Sequence, residues 1–279
     1  MIEADSIRYD YIRRGADDEV VAIETALNAV SFRIETGEFI GILGPNGSGK
    51  STLAKHLNAL LVPEEGTLWV DDIDTSDEKA VYTVRSNVGM IFQNPDNQIV
   101  HEIIEDDVAF GPENLGLPTG ELRTRVDEAL AMVGMTEHAT GSPTRLSGGQ
   151  KARVAIAGVL AMRPKCMVFD ESTAMLDPAG REEVLAQVHR LNREEGITVI
   201  WITHLAEEVT DADAIFVMDH GELVMTGSPA EVFSDVSTIE DMGLDVPEVT
   251  RIGVALGIYG VLTVDELVRC LNEKNKIDK

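Results

Sequence analysis

The most constraining feature of the sequence is a strand of buried type that runs directly into a glycine-rich loop and then into a helix. Phe39–Leu43 is an uninterrupted apolar run of strand length, and a helical pattern is predicted over residues 50–61. Residues 44–51 join the two and match the pattern G-x-x-x-x-G-K-[ST], which has its physical meaning only in this context. The segment therefore predicts an α/β fold built around a phosphate-binding loop.

The chemistry of this loop explains its residue types. Its glycines let the backbone curl so that N–H groups converge on phosphate oxygens, and the helix N-terminus adds its dipole. We expect Lys50 to contact the β- and γ-phosphates and the Ser51 hydroxyl to bind Mg²⁺. A turn that bound no ligand would have no use for a lysine here. The predicted nucleotide-binding residues are Gly44, Pro45, Asn46, Gly47, Ser48, Gly49, Lys50, Ser51 and Thr52. Kinases, GTPases and motor ATPases share this loop, so alone it indicates only a nucleoside triphosphate.

Further apolar strands at 166–169 and 199–203 alternate with helical segments, which is typical of an α/β domain with a parallel sheet and its ligand at the carboxyl ends of the strands. Together with the phosphate loop, this order of elements resembles a P-loop NTPase (RecA-like) core. Short strands predicted at 4–9 and 28–34 indicate an antiparallel β subdomain at the N-terminus. An acidic loop at 15–19 separates these two strands.

The same pattern predicts how the chain is divided. We expect a nucleotide-binding domain over residues 1–230, with a helical subdomain inserted at about 94–161. A helical extension is predicted over residues 231–279. Glycine and proline at positions 111–112 predict a break within the inserted helices.

Composition excludes several classes of protein. Lys and Arg number 23 and Asp and Glu number 49, so the formal net charge is 23 − 49 = −26. A chain of this charge does not grip nucleic acid or anionic lipid through bulk electrostatics. Cys166 and Cys270 are too few for a disulfide framework, which favours a reduced, cytosolic chain. The most apolar stretch, residues 252–264, is shorter than the 18–20 or so residues that a membrane span needs.

Two further motifs narrow the function. Residues 166–171 form an apolar strand that ends in Asp170 and Glu171, where one carboxylate can hold Mg²⁺ and the other can polarise water. A strand ending in a solvated acidic turn is the alternative. Leu146 is followed by Ser147, Gly148, Gly149 and Gln150 at the start of a predicted helix, where backbone N–H groups form a second anion site. A simple capped helix start is the alternative there.

Taken together, these motifs resemble those of the ATP-binding cassette (ABC) ATPases over about residues 1–230. The resemblance implies that two subunits pair head to tail and enclose each ATP between the phosphate loop of one and residues 147–150 of the other. It also implies a catalytic role for Glu171 and for His204, which follows strand 199–203, and a dimer-interface role for Asp177. Gln93, Ser51 and Asp170 match the Mg²⁺ ligands, direct or through water. Tyr9 matches the aromatic that stacks on adenine, with Tyr11 as its competitor.

Residues 93–98, 105–114 and 170–178 are similar to a narrower group, the ATPases of energy-coupling factor (ECF) transporters, most like the first of their two paralogues. Ser172 is the residue that favours the first paralogue, since most cassette ATPases have proline at this position. The resemblance implies a C-terminal dimerisation extension and a second ATPase subunit, with a heterodimer favoured and a homodimer open. It also implies a transmembrane coupling protein, membrane substrate-binding components for vitamins or transition-metal ions, and a peripheral position on the cytoplasmic face of the membrane.

That family's coupling protein docks in a groove on the ATPases, and an acidic stretch just beyond Gln93 is a candidate contributor. A solvated helix face is the equal alternative for this stretch. Its residues are Glu102, Glu105, Asp106 and Asp107.

Two other classes are weighed against an ECF transport ATPase. Translation cassettes fuse two motif sets and repair cassettes separate them by a long coiled coil, whereas this chain has one set within about a hundred residues. A P-loop enzyme acting on a small substrate has no use for residues 146–150. We therefore expect an ATPase that binds ATP and Mg²⁺ and has no nucleic-acid partner.

Overall fold

The computed structural model describes residues 1–15 and 17–277. Ala16, in the predicted loop at 15–19, lies outside the described residues, as do Asp278 and Lys279 at the end of the predicted extension. The strands are β1 (Ile2–Arg14), β2 (Val20–Ile34), β3 (Phe39–Leu43), β4 (Glu65–Val70), β5 (Ile73–Asp74), β6 (Val88–Ile91), β7 (Cys166–Asp170), β8 (Thr198–Ile202), β9 (Ala214–Asp219) and β10 (Glu222–Gly227). The α-helices are α1 (Lys50–Leu57), α2 (Val81–Asn87), α3 (Ile104–Asn114), α4 (Thr119–Met132), α5 (Gly148–Leu160), α6 (Pro178–Glu195), α7 (Pro229–Ser234), α8 (Val236–Asp241), α9 (Glu248–Ala255) and α10 (Val264–Ile277).

The strands form two sheets. The smaller has the order β2-β1-β4-β5, and all its neighbours pair antiparallel. The larger has the order β10-β9-β3-β8-β7-β6, and every pair except β10 with β9 is parallel. Helices α3, α4 and α5 lie between β6 and β7 in the sequence and pack on one another. The predicted α/β core, antiparallel N-terminal sheet and inserted helices are therefore all present.

Two hydrophobic cores lie on opposite faces of the larger sheet, because successive side chains of a strand point to opposite faces. In β3, Phe39 and Leu43 belong to one core, whereas Ile40 and Ile42 belong to the other. Helices α3 to α6 cover the first core, and α1 with the antiparallel sheet covers the second. This arrangement leaves the strand ends of the sheet open.

The N-terminal hairpin is longer than the sequence predicts. β1 and β2 continue to pair beyond the sheet, with Ile12 opposite Ile23 and Tyr11 opposite Glu24. The predicted strands at 4–9 and 28–34 cover only the part that packs on the core. Beyond it both faces of the hairpin are exposed, so no alternation of apolar and polar residues marks the strands.

Two helices also differ from their predicted extents. Helix α1 ends at Leu57 instead of residue 61, because Ala59 adopts the left-handed conformation (φ 54°) that ends an α-helix. The break predicted at 111–112 is wrong: α3 runs through Pro112, which lies in its last turn. After β10 the chain is helical, and no helix among the described residues has both the length and the apolar character to cross a membrane.

Candidate functional site

Several of the predicted site residues lie at or just beyond the ends of the parallel strands, at one edge of the larger sheet. β3 ends at the phosphate loop, β6 ends two residues before Gln93, β7 ends at Asp170, and β8 ends two residues before His204. A cavity of about 550 Å³ opens beside the phosphate loop. Its lining residues are Tyr11, Glu24, Thr25, Ala26, Asn46, Gly47, Ser48, Gly49, Lys50, Ser51, Thr52, Gln93 and Glu171.

The phosphate loop holds its lysine in a defined place. The buried Lys50 ammonium donates hydrogen bonds to the carbonyl oxygens of Gly44 (2.7 Å) and Pro45 (3.0 Å). Burial lowers the pKa of Lys50, while the carboxylates of Glu171 and Asp170 oppose this change. An anion entering the cavity would favour the charged ammonium in the same way. The Lys50 ammonium thus lines the cavity as a positive charge that could bind the oxygen atoms of a phosphate group.

Two glycines are required by close backbone approach. A Cβ at Gly49, which begins α1 with φ 99°, would lie 2.3 Å from the carbonyl oxygen of Ala26. At Gly44 it would lie 2.3 Å from the Met218 carbonyl oxygen and 2.5 Å from Ser48 Oγ. The loop is therefore packed between β2 and the end of β9, and side chains at these positions would displace it.

A set of oxygen donors lies beside the loop. Ser51 Oγ donates a hydrogen bond to Asp170 Oδ1 (2.9 Å). Burial raises the pKa of Asp170, and the Ser51 hydrogen bond acts in the opposite direction. Hydroxyl, carboxylate and amide oxygens are hard donors of the type that Mg²⁺ prefers, and Mg²⁺ usually completes its coordination with waters and phosphate oxygens. Ser51, Asp170 and the neighbouring amide of Gln93 therefore fit this metal.

Glu171 lies at the centre of the polar contacts. Its carboxylate accepts a hydrogen bond from Gln93 Nε2 (3.0 Å) and lies 3.9 Å from Lys50 Nζ. The backbone at Glu171 is left-handed (φ 49°), and its N–H donates to the carbonyl oxygen of Ile202 in β8 (3.0 Å). A left-handed conformation is costly for a non-glycine residue and persists only when the surroundings hold it. The chain is thus held so that this carboxylate faces the cavity.

The aromatic residue at the cavity is Tyr11, and not the expected Tyr9. Tyr11 is 40% exposed, lines the cavity, and accepts a 3.4 Å hydrogen bond from Thr52. Tyr9 packs against the second core and contacts His56 edge to face, with ring centroids 4.9 Å apart. The geometry therefore favours Tyr11, the alternative to Tyr9, as the aromatic ring on which a planar ligand could stack.

Residues 147–150 do not line this cavity. Ser147 accepts the backbone N–H of Gln150, whose side chain accepts the N–H of Ser147, so a capping box begins α5. Ser147 and Gly148 are exposed. Asp177 is also exposed, and it caps α6 by accepting the N–H of Gly180 (2.8 Å). These groups are presented to solvent on a different part of the chain from the phosphate loop.

His204 is exposed after β8, and it makes no side-chain hydrogen bond within the described residues.

The acidic stretch beyond Gln93, a candidate part of the docking groove, is not uniformly exposed. Asp107 is buried, and its carboxylate accepts the backbone N–H groups of Val100 (2.7 Å) and His101 (3.0 Å). Asp107 thus anchors a loop, and only Glu102 and Asp106 are exposed and without an ion pair among the described residues. A charge reversal at Asp107 would disrupt that loop whatever docks nearby.

Sequence reasoning did not find Glu24 and Thr25 at the cavity, because it placed the second strand at 28–34. The pairing register of the hairpin places Glu24 opposite Tyr11 and Thr25 opposite Asp10, and so brings both residues to the cavity. It also did not find the members of an adjacent apolar groove, because they come from separate segments. The exposed apolar side chains that line this groove are Leu60, Tyr82, Phe92, Val100 and Phe110.

Ser172 provides a stability prediction. Its side chain is buried, and its hydroxyl has no hydrogen-bond partner among the described residues. A buried hydroxyl without a partner costs about 1–3 kcal/mol. We expect Ser172→Ala to raise the free energy of unfolding by about 1 kcal/mol, measured by denaturant titration.

Thr250 is the matched control for this substitution. It is equally buried, but its hydroxyl donates to the carbonyl oxygen of Val261 (2.7 Å), so Thr250→Val should destabilise the protein. A destabilising Ser172→Ala would mean that the Ser172 hydroxyl does have a partner.

Comparisons with known proteins identify the family of this fold. A family model described as "ABC transporter" matches residues 27–174. The chain is 52% identical over 277 residues to the energy-coupling factor transporter ATP-binding protein EcfA1 of Clostridium novyi, covering 97% of each chain. It is 54% identical over 276 residues to the EcfA1 protein of Symbiobacterium thermophilum, covering 97% of this chain and 96% of that one.

Solved structures agree with these relatives. CbiO1 from Clostridium perfringens, described as part of the ABC transporter complex cbiONQ, has a TM-score of 0.75 at 38% identity, covering 92% of this chain and 98% of that one. A dimeric ATP-binding cassette, MJ0796, bound to ADP and Pi in a post-hydrolysis state, has a TM-score of 0.72 at 31% identity. The match covers 82% of this chain and 99% of that one.

The fold and the site define an ATPase of the P-loop class, with a nucleotide cavity at the carboxyl ends of a parallel sheet. Within that class, the chain belongs to the ABC transporter ATP-binding family and, inside it, to the ATP-binding proteins of energy-coupling factor transporters. The predicted ECF resemblance is confirmed, and so is the predicted ATPase activity class.

Proposed function

We propose that this chain hydrolyses ATP with Mg²⁺ on the cytoplasmic face of the membrane to power uptake of vitamins or transition-metal ions. It does so through a transmembrane coupling protein and separate membrane components that bind the substrate. The observation that carries this proposal is the apolar groove beside Gln93. An ATPase that worked alone in solution would have no use for such a surface next to its nucleotide cavity.

The groove has a volume of about 530 Å³ and is built from α2, α3, α5 and the loop after β6. Phe92 lies next to Gln93, and Phe110 lies across the groove on α3. Exposed apolar patches of this kind mark interaction sites. An amphipathic helix of the coupling protein would bury its apolar face here, and Glu102 and Asp106 could attract its basic residues.

A head-to-tail pair of ATPases would complete the nucleotide site. Ser147 and Gly148 are exposed at the start of α5 and do not line the cavity of their own chain. A second subunit could supply the same group to that cavity, which gives two composite sites related by a two-fold axis. The C-terminal helices α9 and α10 and the segment between them add exposed apolar side chains for this pairing: Ile252, Leu256, Tyr259, Val264 and Val268.

The partner ATPase is proposed to be a paralogue, because Ser172 stands where most cassette ATPases carry proline. The relatives carry the name of the first ECF ATPase, which is consistent with this choice. A homodimer is the other outcome that identification of the partner chain would reveal.

In the proposed chemistry, Tyr11 stacks on the adenine, and the phosphate loop with Lys50 holds the triphosphate. Ser51, Asp170 and Gln93 would hold Mg²⁺, which supplies positive charge to the phosphates. Glu171 accepts the proton of the attacking water, since its carboxylate already faces the cavity. His204, together with the residues of the second subunit that correspond to Ser147 and Gly149, stabilises the charge that develops on the γ-phosphate. Asp177 contacts the second subunit at the dimer interface.

A substitution in the groove tests the transport role. Phe110→Asp places a carboxylate on an apolar surface, and burying it unpaired would cost several kcal/mol, so docking should weaken by about 100-fold or more. We expect the membrane partners to be lost when the variant is purified from membranes and every associated chain is identified. ATP affinity should not change, because Phe110 does not line the nucleotide cavity.

Val224→Asp is the matched control, since Val224 is 45% exposed and Phe110 is 47% exposed, and Val224 lies on β10 outside the groove. The control should retain its membrane partners. Full co-purification of the coupling protein with Phe110→Asp would contradict the proposed dock.

A further inference from the structure

Glu208 is a buried carboxylate that the chemistry above does not use. It lies in a single turn of 3-10 helix, Ala206–Val209, and is 3% exposed. Its Oε1 accepts a hydrogen bond from Thr173 Oγ1 (2.7 Å) and lies 3.4 Å from Arg181 Nε. Its Oε2 accepts a hydrogen bond from Trp201 Nε1 (3.0 Å). Two hydrogen-bond donors and one ion-pair partner, from three segments, therefore converge on one carboxylate.

Each of these three side chains belongs to a segment that carries a predicted site residue. Thr173 lies two residues after Glu171 and in the loop that leads to Asp177. Trp201 lies in β8, which leads to His204, and Arg181 lies in the first turn of α6, which Asp177 caps. Glu208 thus contacts the loop after Glu171, strand β8 and the first turn of α6 at once.

The local backbone shows why this contact matters for Glu171. The strained residue Glu171 donates its N–H to Ile202, next to Trp201, and its carbonyl oxygen accepts the N–H of Ala174. The next side chain with a fixed partner along this segment is Thr173, which is held by Glu208. Holding residues on both sides of a strained conformation is what allows it to persist.

The charge of Glu208 suits its donors. An ionised carboxylate only accepts hydrogen bonds, so it can satisfy the Thr173 hydroxyl and the Trp201 indole together. Its negative charge also suits the Arg181 guanidinium, with which it forms an ion pair. Glutamine has the same shape but only one oxygen, so its amide would need to turn N–H groups toward one of these donors. Glu208→Gln therefore removes the charge while it conserves volume.

We propose that Glu208 is a positioning residue for hydrolysis, which acts through Thr173 to hold Glu171 against the nucleotide cavity. Glu208 does not line that cavity, so it affects turnover without touching ATP. The proposal rests on the catalytic role proposed for Glu171. It goes beyond that role because it explains the orientation of Glu171 by the hydrogen bond between Thr173 and Glu208.

The test is steady-state ATP hydrolysis by the full chain in its assembled ATPase pair, with the other site inactivated, together with binding of a fluorescent ATP analogue. We expect Glu208→Gln and Thr173→Val each to lower kcat by about tenfold or more, because a small misplacement of a reacting group is costly. KM and analogue affinity should stay within about twofold, since binding contacts are intact. The double variant should lose no more than the more impaired of the two single variants, because both substitutions act on the same contact between Glu208 and Thr173.

Thr173→Ser keeps the hydroxyl and should recover most of the lost kcat, which a purely packing role would not predict. Glu207→Gln is the control, because Glu207 is the exposed neighbour on the same turn and should leave all parameters unchanged. Wild-type kcat in Glu208→Gln, or an equal loss of kcat and ATP binding, would overturn the proposal. So would a failure of Thr173→Ser to recover activity.

A parallel Glu171→Gln measurement separates the two proposals. Wild-type turnover in Glu171→Gln refutes the role of Glu171, and with it the positioning role. Slow turnover in Glu171→Gln combined with wild-type turnover in Glu208→Gln refutes the positioning role alone.

Discussion

Replacing Lys50 with alanine should abolish productive binding of ATP. Its ammonium lies at the base of the cavity, where it now hydrogen-bonds the Gly44 and Pro45 carbonyl oxygens and can turn to phosphate oxygens. Charge-assisted hydrogen bonds contribute about 1.5–3 kcal/mol each. Loss of two such bonds corresponds to roughly 100-fold weaker binding or more. Titration of the chain with a fluorescent ATP analogue measures this change.

The matched control for this variant is Lys79→Ala, which removes an exposed lysine outside the cavity and should leave ATP affinity unchanged. A cooperative thermal unfolding transition of Lys50→Ala checks that the variant is folded. ATP affinity of Lys50→Ala equal to that of Lys79→Ala would refute the role given to the phosphate loop.

Glu171→Gln should bind ATP normally and hydrolyse it very slowly. The substitution conserves the shape of the side chain and a hydrogen bond to Gln93, but it removes the base that would accept a proton from water. General-base catalysis contributes about 10²–10⁴-fold, so kcat should fall by a similar factor. Rapid-quench measurement of phosphate release in an ATPase pair whose other site is inactive gives this number.

A second observable follows from the same variant. Because ATP would bridge the two chains and persist uncleaved, the ATP-bound pair should accumulate, which light scattering detects. ATP hydrolysis at the wild-type rate by the Glu171→Gln variant would show that another group activates the water.

Local segments were the parts of the fold that could be predicted well. Strand β3, the phosphate loop and the start of α1 are consecutive in the chain, so one short stretch of sequence carries the whole pattern. The apolar strands β7 and β8 were also found, within a residue at each end, because buried parallel strands are uniformly apolar. The outer half of the N-terminal hairpin was missed, since its residues face solvent on both sides and carry no pattern.

The choice between Tyr9 and Tyr11 shows the limit of this reasoning. Both tyrosines lie on β1 two residues apart, so they share a face of the strand and a similar local sequence. Only the packing of Tyr9 against His56 in α1 removes it from the cavity and leaves Tyr11 there. In the same way, Asp107 belongs to an acidic run in the sequence but is buried as the anchor of a loop.

The sequence by itself determined the class of protein, the phosphate loop, and the residue types that meet the nucleotide, because these depend on short motifs with fixed spacing. Only the tertiary structure decided which distant residues meet: Ser51 with Asp170, Gln93 with Glu171, and Thr173 with Glu208. These pairs are separated by 119, 78 and 35 positions in the chain. Their contacts follow from the order of strands in the sheet and the packing of helices on it, which no local pattern encodes.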